Sequence, residues 1–301
     1  MLYNNLSGYL RKKYNGKIKK ICIDGGFSCP NRDGTCGYGG CIFCAERGSG
    51  EHIVAGRSIR EQINDFFASP PAADGYIAYF QNFTNTYAPA DVLKKRYDDA
   101  LCDERIVALA IGTRPDCITP EVCELISSYS KSVDVWVELG LQTASDETAR
   151  IINRGYKTEV YIKAAELLAS YRIPFVTHLM IGLPGEADEH LAKTVDVVNS
   201  SRPWGVKIHS VYVCRGTVLA EMYERGEYTP ISFDDYVTRA AYAVSHLSPD
   251  IVIHRLTGDC PRELLVAPLW NPKKNEVINA INGALLEQGK RQGSDYREIS
   301  K

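Results

Sequence analysis

Residues 29 to 44 read C-P-N-R-D-G-T-C-G-Y-G-G-C-I-F-C, and the fold and chemistry of the chain follow from how this stretch is read. Four of the chain's 10 cysteines fall here, among Gly, Pro and Asp residues that favour turns over helix or strand. Thiolates crowded on one loop repel one another unless a cation or a disulfide neutralises them. The softness of sulfur selects zinc or an iron–sulfur cluster. A four-cysteine zinc knuckle wants two close pairs. Cys41 and Cys44 make one, whereas Cys29 and Cys36 stand too far apart to make a good second. Three ligands and one spare fit better: Cys29, Cys41 and Cys44, with Phe43 just before the last. The trio Cys36, Cys41 and Cys44 competes with it. Three thiolates on a [4Fe–4S] cube leave one iron open to chelate a substrate or cofactor.

A chain of 301 residues, 45% of them hydrophobic, buries a full core as one large domain or a domain with an appendage. The absence of an apolar run of about 18 residues, and of an apolar signal core at the start, predicts a cytosolic (cytoplasmic) protein with no membrane partner. In that compartment 10 cysteines point to metal or redox chemistry rather than a disulfide framework. A net charge of −2 argues against broad nucleic-acid affinity while leaving room for a local basic patch. One such patch is R-K-K-Y-N-G-K-I-K-K at 11–20, read as a hairpin or turn before the first strand and as either a solvated turn or an RNA-backbone contact.

Downstream of the cysteines the chain alternates regularly. Ser58 and Glu61 form a capping box for a helix, and strand-like runs follow at 76–80, 106–111, 133–139, 175–181 and 206–213. Helical patterns separate them at 90–101, 119–129, 145–170 in two pieces, and 187–199; Thr119 and Pro120 mark one start. With the strand at 20–23 this gives six βα units, hence an α/β fold with a parallel sheet and helices outside it. A helix near 232–247, a short strand at 251–254 and a C-terminal helix around Val277, Ile281 and Leu285 complete the pattern. The expected organisation is a basic segment at 1–19, a partial barrel at 20–258 and an extension at 259–301 that packs on it.

Four motifs in order carry a family resemblance: the cysteine loop ending C-x-F-C, E-L-G-L-Q at 138–142, N-R-G at 153–155 and M-I-G-L-P-G at 180–185. Together they resemble the radical S-adenosylmethionine (SAM) superfamily, in particular a subgroup with the Elongator radical subunit and oxygen-independent coproporphyrinogen oxidase. The long first gap departs from the superfamily's commonest C-x3-C-x2-C. The resemblance implies a partial (β/α)6 barrel, a [4Fe–4S] cluster and SAM as cofactors, an electron donor such as flavodoxin or ferredoxin, and Cys29 as the first ligand. By the same resemblance Gln142 and Arg154 grip SAM, Gly182 and Gly185 admit its adenosine, and Phe43 sits near the adenine.

In parallel α/β folds ligands bind beyond the C-terminal strand ends. Gln81, Thr84 and Asn85 stand there in place of the superfamily's G-G-E-like segment, with an Asn/Thr turn as the plain alternative. Arg114 and Asp116 either point into the mouth or merely pair with each other. Glu138 sits in an apolar strand, where a carboxylate needs an ion-pair partner or a ligand. His178 is a core residue, a SAM neighbour or an acid/base group; Lys207, His209 and Tyr212 reach the same mouth, and Cys214 is a packing residue or a hydrogen donor. The MnmL-like bacterial branch that the sequence resembles implies tRNA as partner and conversion of a wobble-uridine carboxymethylaminomethyl group to aminomethyl. A small metabolite or tetrapyrrole substrate, and a noncatalytic iron–sulfur or zinc protein, are the alternatives.

Overall fold

A computed structural model describes residues 2–48, 50, 53 and 56–298. Among these, seven parallel strands form one sheet: β1 (Ile18–Ile23), β2 (Gly75–Phe80), β3 (Ile106–Thr113), β4 (Asp134–Gln142), β5 (Phe175–Ile181), β6 (Gly205–Ser210) and β8 (Val252–Arg255), hydrogen-bonded in that order. A two-residue β7 (Val213–Cys214) pairs instead with β9 (Leu265–Ala267), antiparallel. The run expected as one strand over 206–213 is therefore broken, and the short strand expected at 251–254 is the sheet's seventh. The helices are α1 (Leu6–Tyr14), α2 (Ile59–Ala68), α3 (Ala90–Ala100), α4 (Pro120–Tyr129), α5 (Asp146–Ile151), α6 (Thr158–Ser170), α7 (Asp188–Ser201), α8 (Val218–Glu224), α9 (Phe233–His246) and α10 (Lys274–Glu287).

Local chemistry sets these boundaries. Ser58 accepts from the Glu61 N–H while the Glu61 carboxylate accepts from the Ser58 N–H, the full capping box of α2. Thr119 caps α4, whose first residue is Pro120. The central strands are apolar almost throughout because both faces are covered, and side chains alternate between two cores with period two. Tyr76, Ala78 and Phe80 of β2 face the outer helices, while Ile77 and Tyr79 face inward.

The inner face closes on itself. Lys207 Nζ on β6 donates to the Tyr79 hydroxyl on β2 at 3.1 Å, although β6 is four places from β2 in the sheet. In a flat sheet four spacings would separate them by about 19 Å. The sheet is thus curled into a partial barrel, and Lys207 reaches across its interior.

The lower, N-terminal end of that barrel is plugged by α1. Leu6 and Leu10 join Ile77, Ala108, Trp136, Val176 and Val252 in one inner cluster, with Tyr9 edge-on to Trp204 at 5.3 Å. Tyr14 donates to Asp134 and Lys13 pairs with it at 2.7 Å, at the very start of β4. The segment at 11–20 is consequently no hairpin: α1 ends at Tyr14, Asn15 turns in the left-handed region and β1 begins at Ile18. Its exposed Arg11, Lys12 and Lys13 lie at the opposite end of the barrel from the cysteine loop.

Candidate active site

The cysteine loop hangs from the end of β1 over the upper mouth, and its shape is fixed by three side chains within or opposite it. Asn31 Nδ2 donates to the Asn153 carbonyl at 2.6 Å, and Asn153 Nδ2 returns donations to the Gly40 and Tyr38 carbonyls at 2.7 and 3.1 Å. Arg32 spreads its guanidinium over the Cys44, Ala45 and Glu46 carbonyls. The Cys44 N–H donates to the Cys41 carbonyl at 2.9 Å, folding C-x2-C into a single turn.

Beneath the loop lies a cavity of about 300 Å³, within the range of small-ligand sites. Cys29, Cys41, Cys44 and Phe43 line its roof; Gln81, Thr84, Arg114, Gln142 and Tyr156 line its rim; Glu138, His178, Lys207, His209 and Arg255 line its interior. Cys36 is exposed and does not line it. The thiol of Cys41 is pushed well up, first by its hydrogen bond with Cys44, then by burial, and also by the nearby Cys29. Such mutual penalty is what a cationic cluster relieves. Among the described residues no three Cys, His, Asp or Glu stand close enough to hold a single ion. A cubane takes each thiolate on a separate iron, so it does not require the three sulfurs to converge on one point.

The rim residues are mostly preset. Arg114 pairs with Asp116 through both nitrogens at 3.0 and 2.7 Å, donates to the Arg154 carbonyl at 2.9 Å, and stacks 4.8 Å over Tyr156. The Tyr156 hydroxyl donates to the Gly140 carbonyl at 2.7 Å and lies 3.2 Å from Gln142 Oε1, orienting that amide. Of the polar segment at 81–87, Asn85 is structural, tying the Phe80 and Gly112 carbonyls together. Thr84 Oγ1 is buried and has no hydrogen-bond partner among the described residues.

The buried Glu138 has its explanation in the interior. Its side chain is 0% exposed, and Oε2 receives Lys207 Nζ and His178 Nε2, the latter at 2.8 Å, while Trp136 reaches Oε1 at 3.3 Å. Burial opposes the charge, but Lys207, His178 and Lys20 hold the carboxyl well below its ordinary range. Burial, then the neighbouring Lys207 cation, pulls His178 down to about 4, so it is neutral at pH 7. Its Nε2–H therefore donates to Glu138.

Two expected ligand contacts are not at this cavity. Arg154 is fully buried; Nη1 donates to the Thr143 and Leu141 carbonyls and Nε to the Tyr156 carbonyl, so its fork is spent on backbone. The N-R-G segment thus shapes the loop around the cysteines. Gly182 lines a separate hollow beside Glu186, donates to Glu186 Oε2 at 3.0 Å and accepts from the Tyr228 hydroxyl at 2.8 Å. Sequence reasoning missed Tyr79 and the rim role of Tyr156, both brought in by pairings that no local pattern announces; Arg255 lies in H-R-L-T-G-D at 254–259, a polar segment the sequence does set near the substrate entrance.

The pattern of the radical SAM superfamily matches residues 33–198, more than half the chain, and that of the radical SAM C-terminal domain matches 203–287. The chain belongs to the radical SAM superfamily. As a radical SAM enzyme it uses a [4Fe–4S] cluster and SAM. It is 37% identical to Bacillus subtilis YtqA over 99% of this chain and 94% of that one. It is also 34% identical to the tRNA uridine(34) acetyltransferase of Methanocaldococcus jannaschii, over 58% of this chain and 32% of the other. The fold superposes on the archaeal Methanocaldococcus infernus Elp3 with a TM-score of 0.68 at 22% identity, covering 91% of this chain and 64% of that structure. No helix among the described residues is long and apolar enough to cross a membrane.

Proposed function

We propose that this radical SAM enzyme acts on tRNA, converting the carboxymethylaminomethyl side chain of the wobble uridine to aminomethyl. The observation that carries the reading is the convergence of Cys29, Cys41 and Cys44 on the roof of a cavity whose interior is charged. The substrate class is supported by likeness to an enzyme named for tRNA uridine 34.

When bound, the cluster and SAM supply a 5′-deoxyadenosyl radical that removes a hydrogen atom from the substrate. Cys29, Cys41 and Cys44 would hold the cluster, and Cys36 is left out because it is exposed and does not line the cavity. Phe43, beside the cysteines, would pack against the adenine. Gln81, the unpartnered Thr84 hydroxyl and Gln142, which line the cavity, would hydrogen-bond SAM. Arg114 lines the rim where Arg154 was expected, but its fork is already held by the Asp116 carboxylate and the Arg154 carbonyl, so it would stiffen the rim rather than grip the SAM carboxylate. His178 and Glu138 lie deeper, where they shape the interior rather than grip SAM. The protein's work is to fix the target C–H bond next to the radical and to keep water out. An electron donor of the flavodoxin or ferredoxin kind reduces the cluster.

The test is anaerobic reconstitution with iron and sulfide, reduction, and quantification of 5′-deoxyadenosine with and without tRNA carrying the carboxymethylaminomethyl group. Product that rises with tRNA, with loss of that nucleoside, supports the proposal. 5′-Deoxyadenosine indifferent to tRNA overturns the tRNA reading and favours a small carboxylate metabolite, which the modest cavity volume also accommodates.

A further inference from the structure

The interior of the barrel carries more positive charge than its own carboxylates neutralise. Lys20, Lys207 and Arg255 stand around two carboxylates, Glu138 and Asp259. Glu138 is taken by Lys207. Asp259 holds Lys274 at 2.7 Å and touches Arg255 only at 3.8 Å. Lys20 lies 5.1 Å over the Tyr79 ring and forms no ion pair within 4 Å among the described residues. Half-buried Lys20 and buried Lys207 thus share the one Glu138 carboxylate, so the interior favours a further negative charge brought from outside. Two observations point the same way. His209 lines the same cavity, and its Nε2 is buried without a hydrogen-bond partner among the described residues. Burial, moreover, pulls the Lys207 ammonium down to about 7, even with Glu138 beside it.

We propose that Arg255, His209 and Lys207 form a carboxylate-binding site in the barrel interior, which seats the anionic end of the substrate below the reacting carbon. The site is distinct from the SAM end of the cavity. Glu138, beside Lys207, precedes Gln142 by four strand residues and so lies about 13 Å below the rim. Of the two cations lining the inner cavity, Lys207 is taken by Glu138, and Asp259 is held by Lys274, which leaves Arg255 to meet a single negative charge. Arg255 offers the fork a carboxylate accepts. The site rests on the proposed function in one respect: the anion there is the carboxymethyl carboxylate of the wobble nucleoside.

The experiment is equilibrium dialysis of cluster-loaded, SAM-bound, unreduced protein with 5-carboxymethylaminomethyluridine and with its primary amide. The acid is expected to bind ~10-fold tighter or better, the effect of one charge-assisted hydrogen bond. In Arg255→Gln the ratio is expected to fall to about 1. Arg255 is the variant of choice because it is partly exposed, whereas removing Lys207 strands a buried Glu138. Equal binding of acid and amide, or a preference that survives Arg255→Gln, overturns the site. If neither nucleoside binds, the unfolding midpoint with succinate and with succinamide decides. A rise with succinate alone, absent in Arg255→Gln, keeps the carboxylate site and removes the wobble-uridine reading. No difference between the two overturns the site itself.

Discussion

Replacing Lys207 by Met asks the barrel to keep Glu138 without its strongest partner. The carboxylate is 0% exposed and cannot recover water. What remains is the His178 donor at 2.8 Å and the Trp136 N–H at 3.3 Å, and neither carries a charge at neutral pH. Breaking a buried ion pair by removing one partner costs ~3–5 kcal/mol. Lys20 recovers part of this at longer range, so the lower half of that range is expected. Adding Glu138→Gln removes the stranded charge, and the double variant is expected to regain most of the loss, to within about 1–2 kcal/mol of the parent. Urea unfolding of the cluster-free protein, followed by circular dichroism, reads this without any contribution from cofactor binding. A Lys207→Met loss below about 1 kcal/mol, or a double variant no more stable than the single one, would refute the view that Glu138 is ionised and held by Lys207.

Three further outcomes are expected. Cys29→Ser, Cys41→Ser and Cys44→Ser should each lose bound iron and sulfide, whereas Cys36→Ser retains both; an iron-free Cys36→Ser protein would restore the competing trio. Asn153→Ala removes two donations to the cysteine loop and should cost ~1–3 kcal/mol together with slower cluster loading; loading at the parent rate would show that the loop holds its shape without Asn153. His178 has a folded pKa near 4 against 6.5 unfolded, so the unfolded chain binds more protons between those values and stability must fall as pH drops from 6.5 towards 4. His178→Gln should flatten that part of the stability–pH curve, with His209 and His254, also pushed down by burial, supplying the slope that remains.

The order of strands was legible because each is a short apolar run between capped helices, and signals such as Ser58 with Glu61 or Thr119 with Pro120 act within a few residues. α1 was missed although Asn5 caps it and Leu6 and Leu10 share a face, because the cationic run and the N-G turn dominate the local pattern. The cysteine loop and Gln142 follow from the strand-end rule, since each lies at or beyond the upper end of its strand, whereas His178 is mid-strand and lines the interior. The partners of Glu138 could not be read in this way, since Lys207 follows it by 69 residues and meets it only once the sheet has curled. Arg154 shows the converse. Its place in a motif at the mouth suggested a ligand, but three carbonyls brought together by β4 and the turn after α5 consume its donors. Burial of a side chain is a property of the closed fold, and neighbouring residues do not encode it.

The plug that α1 makes in the lower end of the barrel has a consequence for traffic. With that end sealed by Leu6, Leu10 and Tyr9, SAM, the substrate's side chain and the spent methionine and deoxyadenosine share the upper doorway. Under the proposed tRNA reading, the RNA docked over that doorway would act as a stopper: SAM would load before it arrives and the small products would leave only after it departs. Turnover would then be paced by dissociation of the RNA, and an excess of it would slow the enzyme by trapping the emptied cofactor fragments inside.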